Sequence, residues 1–307
     1  MQVPSHVQYE RAESLEHALQ LLTRSGPGAR VLAGGHSLIP MMKLRLAQPE
    51  TLIDVGGLSE LSGLAVDGDE LRIGALVRHA DLLASHLAGE HFPIFHDAER
   101  VIADPIVRNW GTVGGSLCQA DPSEDLSAAF AAVSATAVVQ GPDGVRTVPV
   151  RRFHTGPYET VLAADEILTE LRVPIRPGGG SAYAKVGRRV GDWAIAAAGA
   201  VVWLSDGGGR GGGGRGGGGR GEPVVADAGI GLTAVGAEHF VALEAEDFLR
   251  GQPAGEEAFR QAAEIAAGHC RPASDQRGPA DYKRHLVAEL TTRALRRAAA
   301  RAAGQED

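Results

Sequence analysis

Two five-residue stretches place paired glycines where a β-like run ends: Ala33-Gly34-Gly35-His36-Ser37 and Thr112-Val113-Gly114-Gly115-Ser116. Glycine lacks the Cβ that holds a backbone away from an anion, so consecutive peptide N–H groups can converge on phosphate oxygens. The hydroxyls of Ser37, Thr112 and Ser116 add donors. One glycine pair after a strand is more often only a tight turn. Two of them, about 80 residues apart, suit a dinucleotide, whose pyrophosphate can be gripped from both sides. Neither stretch is a GxGxxG or a GxxxxGK[ST] motif, so the predicted nucleotide site belongs to another architecture.

Asp121, Glu124 and Asp125 follow the second stretch. Carboxylates so near a phosphate are repelled unless they face a ribose or solvent, and Asp125 is the candidate for the ribose. The structural alternative is that Asp121 or Ser123 caps the following helix. Lys43 and Arg45 are either phosphate neighbours or ordinary surface charges. His86, His91 and His96 invite a metal reading, but a five-residue spacing turns successive side chains about 140° apart on a helix, which favours surface or packing roles. No Ser/His/Asp triad can be argued from spacing, and no catalytic or metal-binding residue is predicted. Cys118 and Cys270 are the only cysteines. With no CxxC pair, an iron-sulfur cluster or cysteine-rich zinc site held by this chain alone is excluded.

The elements that must position these residues can be read from periodicity. SLEHALQLL aligns Leu15, Ala18, Leu19 and Leu22 on one helix face behind Ser14 as N-cap, and RVLAGGHSL reads as a strand entering a glycine turn. TLIDVG and LRIGALV are further strands. HADLLASHLA and PIFHDAERVIA are two short helices, RNWGTVGGSL is the second glycine turn, and SEDLSAAFAAV is a helix with Leu126, Ala129, Phe130 and Val133 inward. TAVVQ and VRTVPV form a hairpin around PDG, and EILTELRVP is a strand. The Pro/Gly cluster PIRPGGGS marks a domain break. Beyond it, YAKVGRRVGDWAIAAAGAVVWL and VVADAGIGLTAVG are strands, and EEAFRQAAEIAA and ADYKRHLVAELTTRALRRAAARA are helices. This order is α+β, not a regular βαβ alternation.

At 307 residues the chain is long enough for two or three packed units. A net charge of -8 and a pI near 5.8 argue against a general nucleic-acid binder. The local exception is GGGRGGGGRGGGGRGE, residues 207–222, whose Gly/Arg repeat resembles RNA-binding tails but contains no aromatic side chain on which a base could stack. Lying between two strands, it reads as an enlarged, flexible hairpin loop. The start, MQVPSHVQYERAES, lacks a basic and then apolar signal region, and the longest apolar runs fall short of a membrane span. A soluble, cytoplasmic protein is expected.

Three runs, AGGHSLIPMMKLR (33–45), IADPIVRNWGTVGGSLCQADPSEDLSAAFAAV (102–133) and RPASDQRGPADYKRHL (271–286), together resemble the FAD-binding medium subunit of carbon monoxide dehydrogenase type molybdenum hydroxylases. The resemblance covers nearly the whole chain in order and spacing, and the xanthine dehydrogenase flavin domain is similar in the same places. It implies a two-part FAD-binding domain of the vanillyl-alcohol-oxidase (PCMH) type over residues 1–176, with parts at about 1–57 and 58–176. A smaller α+β C-terminal flavoprotein domain would follow over 177–298, with FAD between the two. By the same resemblance, Ala33, Gly34, Gly35, His36 and Ser37 with Thr112, Val113, Gly114, Gly115 and Ser116 hold the pyrophosphate, and Asp125 bonds the ribose. Leu168 meets the ring system through its backbone, Lys185 approaches the flavin from the second domain, and Trp193 stands beside the isoalloxazine. Trp193 equally reads as an indole on a half-buried strand face.

The branch that the chain resembles holds FAD noncovalently, so His36 is not expected to be bonded to it. The implied activity is that of an FAD-dependent oxidoreductase subunit. Electrons would come from a large molybdopterin subunit through the iron-sulfur clusters of a small subunit, in a dimer of heterotrimers, and pass through FAD to an external acceptor. Carbon monoxide, an aldehyde, a purine or an N-heterocycle stays open as substrate, and a quinone, NAD or oxygen as acceptor. A stand-alone FAD oxidase or dehydrogenase, and an RNA-binding or scaffolding protein working through the Gly/Arg run, are the alternatives.

Overall fold

The computed structural model describes residues 3–206 and 223–305. The Gly/Arg run, with its expected hairpin loop, lies outside the described residues. The chain starts with β1 (Gln8–Arg11), α1 (Leu15–Ser25), β2 (Ala29–Leu32), α2 (Leu38–Lys43) and β3 (Thr51–Asp54). These strands form a parallel sheet in the order β1-β3-β2. Ser14 caps α1 as its position predicts, accepting from the His17 N–H. The α1 face of Ala18, Leu19, Leu21 and Leu22 packs on Ile53 and Val55. β1 was not expected: its four residues QYER carry no apolar pattern and are mostly exposed.

A five-stranded antiparallel sheet follows, built from β4 (Leu64–Asp67), β5 (Glu70–Gly74), β6 (Thr136–Gly141), β7 (Gly144–Pro149) and, after the small β8 (His154–Gly156) and β9 (Glu159–Thr160) hairpin, β10 (Ile167–Pro174). Its order is β4-β5-β10-β6-β7. Six short helices lie between β5 and β6: α3 (His79–Ala84), α4 (His86–His91), α5 (Pro93–Glu99), α6 (Pro105–Trp110), α7 (Val113–Gln119) and α8 (Leu126–Ala132). The expected helix HADLLASHLA is broken at Ser85, which leaves α3 in extended geometry and caps α4 by accepting from the Ala88 N–H. Likewise, the glycine turn expected at 112–116 is a helix start, because the Thr112 hydroxyl caps the Gly115 N–H.

The last sheet consists of β11 (Gly179–Gly187), β12 (Ala194–Ser205) and β13 (Val224–Thr233), all antiparallel. Side chains of a strand alternate between faces, and here both faces are buried. Ala197, Val201 and Trp203 join the core of the preceding helices and sheet, whereas Ala196, Ala198, Ala200 and Val202 face α9 (Leu243–Leu249), α10 (Glu256–His269) and α11 (Ala280–Ala302). That explains the continuous apolar run of β12. α8 lies so close on β13 that a Cβ at Gly231 would collide with the Ala128 carbonyl.

Polar ties hold this arrangement across the sequence. Asp97 on α5 is 8% exposed and accepts from Arg301 on α11 at 2.7 Å and from the Tyr183 N–H of β11 at 3.2 Å. Glu246 on α9 takes a two-pronged contact from Arg151, both bonds 2.8 Å. Among the described residues no helix is long and apolar enough to cross a membrane.

Removing one partner of a buried ion pair strands the other charge, at a cost of about 3–5 kcal/mol. Arg301→Leu is therefore expected to lower the urea midpoint substantially. Arg297→Leu, at an Arg297 side chain 37% exposed and 3.3 Å from the same carboxylate, should lower it much less. Equal shifts in parallel unfolding curves would remove Arg301–Asp97 as the main tie.

Candidate functional site

A cleft of about 1460 Å³ opens where the parallel sheet, the α6–α7 region, β10 and the β11–β12 turn meet. Drug-sized ligands usually occupy roughly 300–1,000 Å³, so there is room for a larger, extended molecule. Ala33 to Leu38 form one wall, and Thr112, Gly114, Gly115 and Ser116 form another. Leu168, Asp125, Lys185 and Trp193 also line it. Val113 does not: it is fully buried in the core.

The two glycine segments meet in space but are built differently. Among the described residues, the peptide N–H groups of Gly34, Gly35, His36, Ser37 and Leu38 have no acceptor, although their residues line the cleft. Gly35 takes φ +77°, a conformation that glycine adopts readily, and this lets the chain bend before α2. At the second segment the N–H groups from Val113 to Ser116 are already committed, and among the described residues only that of Thr112 has no acceptor. Val113 donates to the Val77 carbonyl at 2.9 Å, Gly114 to Ala75 at 2.8 Å, Gly115 to the Thr112 hydroxyl at 3.0 Å and Ser116 to the Thr112 carbonyl at 3.0 Å. Open backbone donors therefore run along 34–38, whereas the second wall offers one open N–H, at Thr112, beside its hydroxyls.

The glycines also have a structural duty. A Cβ on Gly34 would collide with the Trp110 carbonyl oxygen, to which the Arg78 guanidinium donates. A Cβ on Gly114 would lie 2.6 Å from that of Ala75. A bulky residue at either position would thus displace protein backbone before it reached a ligand.

Asp125, at the start of α8, is 4% exposed. Its carboxylate accepts from Lys185 Nζ at 2.7 Å and from the Tyr183 hydroxyl at 2.8 Å. Burial pushes its pKa up, and Lys185 and Tyr183 work against that shift. Lys185 Nζ also reaches the Val101 carbonyl at 3.2 Å, which leaves one of its three protons for the cleft. Leu168 is 4% exposed and precedes a β-bulge between β10 and β6. Trp193 is 43% exposed on the turn between β11 and β12.

Several expectations change. The cap of α8 is neither Asp121 nor Ser123: the Glu124 carboxylate accepts from the N–H groups of Leu126 and Ser127. Burial drives the Glu124 pKa up to about 7 against those hydrogen bonds. Asp121 instead accepts from the Ser123 N–H and the Tyr158 hydroxyl. Lys43 and Arg45 do not line the cleft, and Arg45 donates to the Val3 carbonyl and the Ser5 hydroxyl. His36 lines it but is otherwise exposed. His86 and His96 are exposed on two different helices, and the described residues hold no group of three or more potential metal ligands.

Sequence reasoning missed a buried relay. His79 Nδ1 lies 2.9 and 3.1 Å from the two Glu99 oxygens, and its Nε2 lies 3.1 Å from Ser116 Oγ. His79 and Ser116 line the cleft. These residues are 20 and 37 positions apart on three short helices, so no local pattern announced them.

Residues 5–176 match the family described as "FAD binding domain in molybdopterin dehydrogenase", and residues 181–298 match "CO dehydrogenase flavoprotein C-terminal domain". The chain belongs to this flavoprotein family. It is similar to the carbon monoxide dehydrogenase medium chain of Hydrogenophaga pseudoflava, with 39% identity over 98% of this chain and all of that one. The nicotine 6-hydroxylase medium subunit of Paenarthrobacter nicotinovorans is 35% identical, over 98% of this chain and all of that one. The solved reconstituted carbon monoxide dehydrogenase of Oligotropha carboxidovorans superposes with a TM-score of 0.89 at 38% identity, covering 97% of this chain and 99% of that one.

FAD is the family's cofactor, and this cleft fits it. The open N–H run at 34–38 suits a pyrophosphate, and the volume of the cleft suits a dinucleotide. The chain is therefore an FAD-dependent oxidoreductase component with an α+β fold.

Lys185→Met would leave Asp125 buried and unpaired. We expect it to destabilise the chain by about 3 kcal/mol and to weaken FAD binding, whereas the double variant Lys185→Met/Asp125→Leu should recover most of the stability but not the affinity. Chemical denaturation and flavin titration of the same samples check this. Recovery of both together would leave Lys185 with only a structural role.

Proposed function

We propose that this chain is the FAD-carrying electron-transfer subunit of a molybdenum hydroxylase complex. It would receive electrons from iron-sulfur clusters on a small partner subunit, fed by a large molybdopterin-binding subunit, and pass them to an external acceptor. The observation that carries this reading is the unspent N–H run of Gly34 to Leu38 on the wall of a dinucleotide-sized cleft. Family membership over nearly the whole chain adds the setting.

Bound FAD supplies acceptance of electrons singly and their release in pairs, so no protein nucleophile is required. The chain's own residues bind and orient. The backbone of Ala33, Gly34, Gly35, His36 and Ser37 cradles the pyrophosphate, and the Ser37, Thr112 and Ser116 hydroxyls donate from the sides. Val113, Gly114 and Gly115 hold that second wall in place through their bonds to Val77, Ala75 and Thr112. Asp125 orients Lys185 and shares its carboxylate with the ribose. Leu168 meets the flavin along the β10 backbone, and Trp193 covers the ring from the mouth of the cleft. His36 forms no covalent link, so the FAD is dissociable.

The two functional domains are residues 1–176 and 177–298, and the complex is a dimer of heterotrimers in the cytoplasm. Relatives named for carbon monoxide and for nicotine share this chain's full length, which fits a substrate chosen on the large subunit. The relatives that match over nearly the whole chain are named as medium chains or medium subunits, which favours a subunit over a stand-alone oxidase.

Co-expression with the neighbouring genes, followed by purification, tests the proposal. A yellow complex with two co-purifying subunits is expected, with flavin released on denaturation. A colourless chain without partners would overturn it, and a yellow chain that reduces dye with substrate unaided would favour the independent enzyme. A flavin band surviving denaturing electrophoresis would sink the noncovalent assignment.

A further inference from the structure

The second wall of the cleft poses a donor problem. The N–H groups of 113–116 are all bonded inside the protein, so beyond the single open N–H of Thr112 an anion there is met by hydroxyls. Ser116 has one hydroxyl proton, and Oγ already faces His79 Nε2 at 3.1 Å. The direction of that bond decides whether the proton is available. A neutral imidazole whose Nδ1–H is given to Glu99 offers a lone pair at Nε2, and Ser116 must donate to it. An imidazolium carries N–H on both nitrogens, donates to Ser116 Oγ, and leaves the Ser116 proton free for the cleft.

We propose that His79, held by Glu99, is a positioning residue that turns the Ser116 hydroxyl toward a phosphate oxygen of FAD, so that flavin affinity is coupled to one proton on His79. This rests on the reading that the cleft holds the FAD pyrophosphate. The geometry is restrictive: His79 is 3% exposed and Glu99 is fully buried, so neither ring rotation nor solvent readily supplies another partner. The Glu99–imidazolium pair is neutral as a whole, whereas Glu99 beside a neutral imidazole leaves a bare negative charge beneath an anion site. Both the donor direction and the charge therefore favour the same protonation state when phosphate is present.

The charges around His79 set the pH range. Burial, the largest single influence, disfavours the imidazolium, and the charge and hydrogen bond of Glu99 on α5 together with the charges of Glu124 and Asp125 before α8 oppose it. The net direction is upward from the ordinary histidine value. Arg108 on α6 acts on Glu99, and Lys185 on β11 neutralises Asp125. A raised pKa means that the favourable state is complete at low pH and is lost as pH rises through the His79 value.

The test is FAD affinity of the full-length chain, stripped of flavin, measured by fluorescence between pH 6 and 9. Wild type should bind progressively more weakly as pH rises, by roughly ten- to a hundredfold in total, the range of one charge-assisted hydrogen bond. His79→Gln and Ser116→Ala should flatten the profile, with Ser116→Ala near the weak high-pH limit throughout. A wild-type affinity independent of pH, or a His79→Gln variant that keeps the wild-type slope, would overturn the proposal. No FAD uptake by wild type at any pH would instead refute the flavin reading itself. Because these variants could misfold, imidazole resonances of the wild-type chain supply a second measurement. The His79 pKa should rise when FAD is added, and an unchanged value would also overturn the coupling.

Discussion

A peptide N–H can satisfy only one strong acceptor, and the way those groups are allocated around the cleft governs the design of this site. At Gly34 to Leu38 the backbone turns away from the parallel sheet and withholds its donors from the rest of the protein. At Val113 to Ser116 the donors are used to fasten α7 to the β5–α3 connection through Ala75 and Val77. One wall is thus chemically open and the other mechanically fixed. The chain that leads into the fixed wall shapes the open one, since Gly34 lies directly against the Trp110 carbonyl at the end of α6. A cradle made wholly of unspent donors would have no such anchor.

The same logic of commitment extends to the charged groups. Asp97 with Arg301, Glu246 with Arg151, and Asp125 with Lys185 each join elements distant in sequence, and each acid is at least nine-tenths buried. Buried ion pairs add little net stability, because desolvation offsets attraction, but a wrong arrangement strands a charge. Their effect is to fix one relation between the β11–β13 sheet and the helices before it. Asp125 and Lys185 do this at the cleft itself, where a shift of an ångström would misplace a cofactor contact. Glycine at 231 serves the same end without charge, letting α8 sit on β13 at a distance no side chain permits.

How much was legible in the sequence follows from how local each cause is. α1, α10 and α11 show 3.6-residue periodicity, and the Ser14 cap is written three residues from the N–H that donates to it. The Ala33–Ser37 turn was legible because paired glycines constrain their own backbone. Thr112–Ser116 looked equivalent but is not, because the carbonyls of Ala75 and Val77 that claim its donors lie more than thirty residues earlier. β1 was invisible because a short exposed edge strand has no apolar alternation. The Glu124 cap lost to Asp121 and Ser123 in sequence reasoning, since an exposed-type glutamate gives no sign that its carboxyl will be buried. Family resemblance located Asp125 and Lys185 but not their bond to each other. His79 and Glu99 had neither period nor motif.

Ser116, His79 and Glu99 have the residue types and the order of contacts of a nucleophilic hydrolase, and that likeness can be tested against the surrounding chemistry. A serine nucleophile needs an imidazole that can take its proton, which requires the neutral ring at working pH, together with free backbone donors to stabilise an oxyanion. Here Glu99 and the nearby acids move the ring's pKa upward, which favours donation toward Ser116 over acceptance from it. The N–H groups of Gly115 and Ser116 are also consumed within the protein, leaving no oxyanion donor on the serine or the residue before it. The same three side chains therefore do opposite work in the two settings. In a hydrolase the histidine makes the serine oxygen an attacker; in the role proposed for this cleft it occupies that oxygen and makes the serine proton a ligand for phosphate.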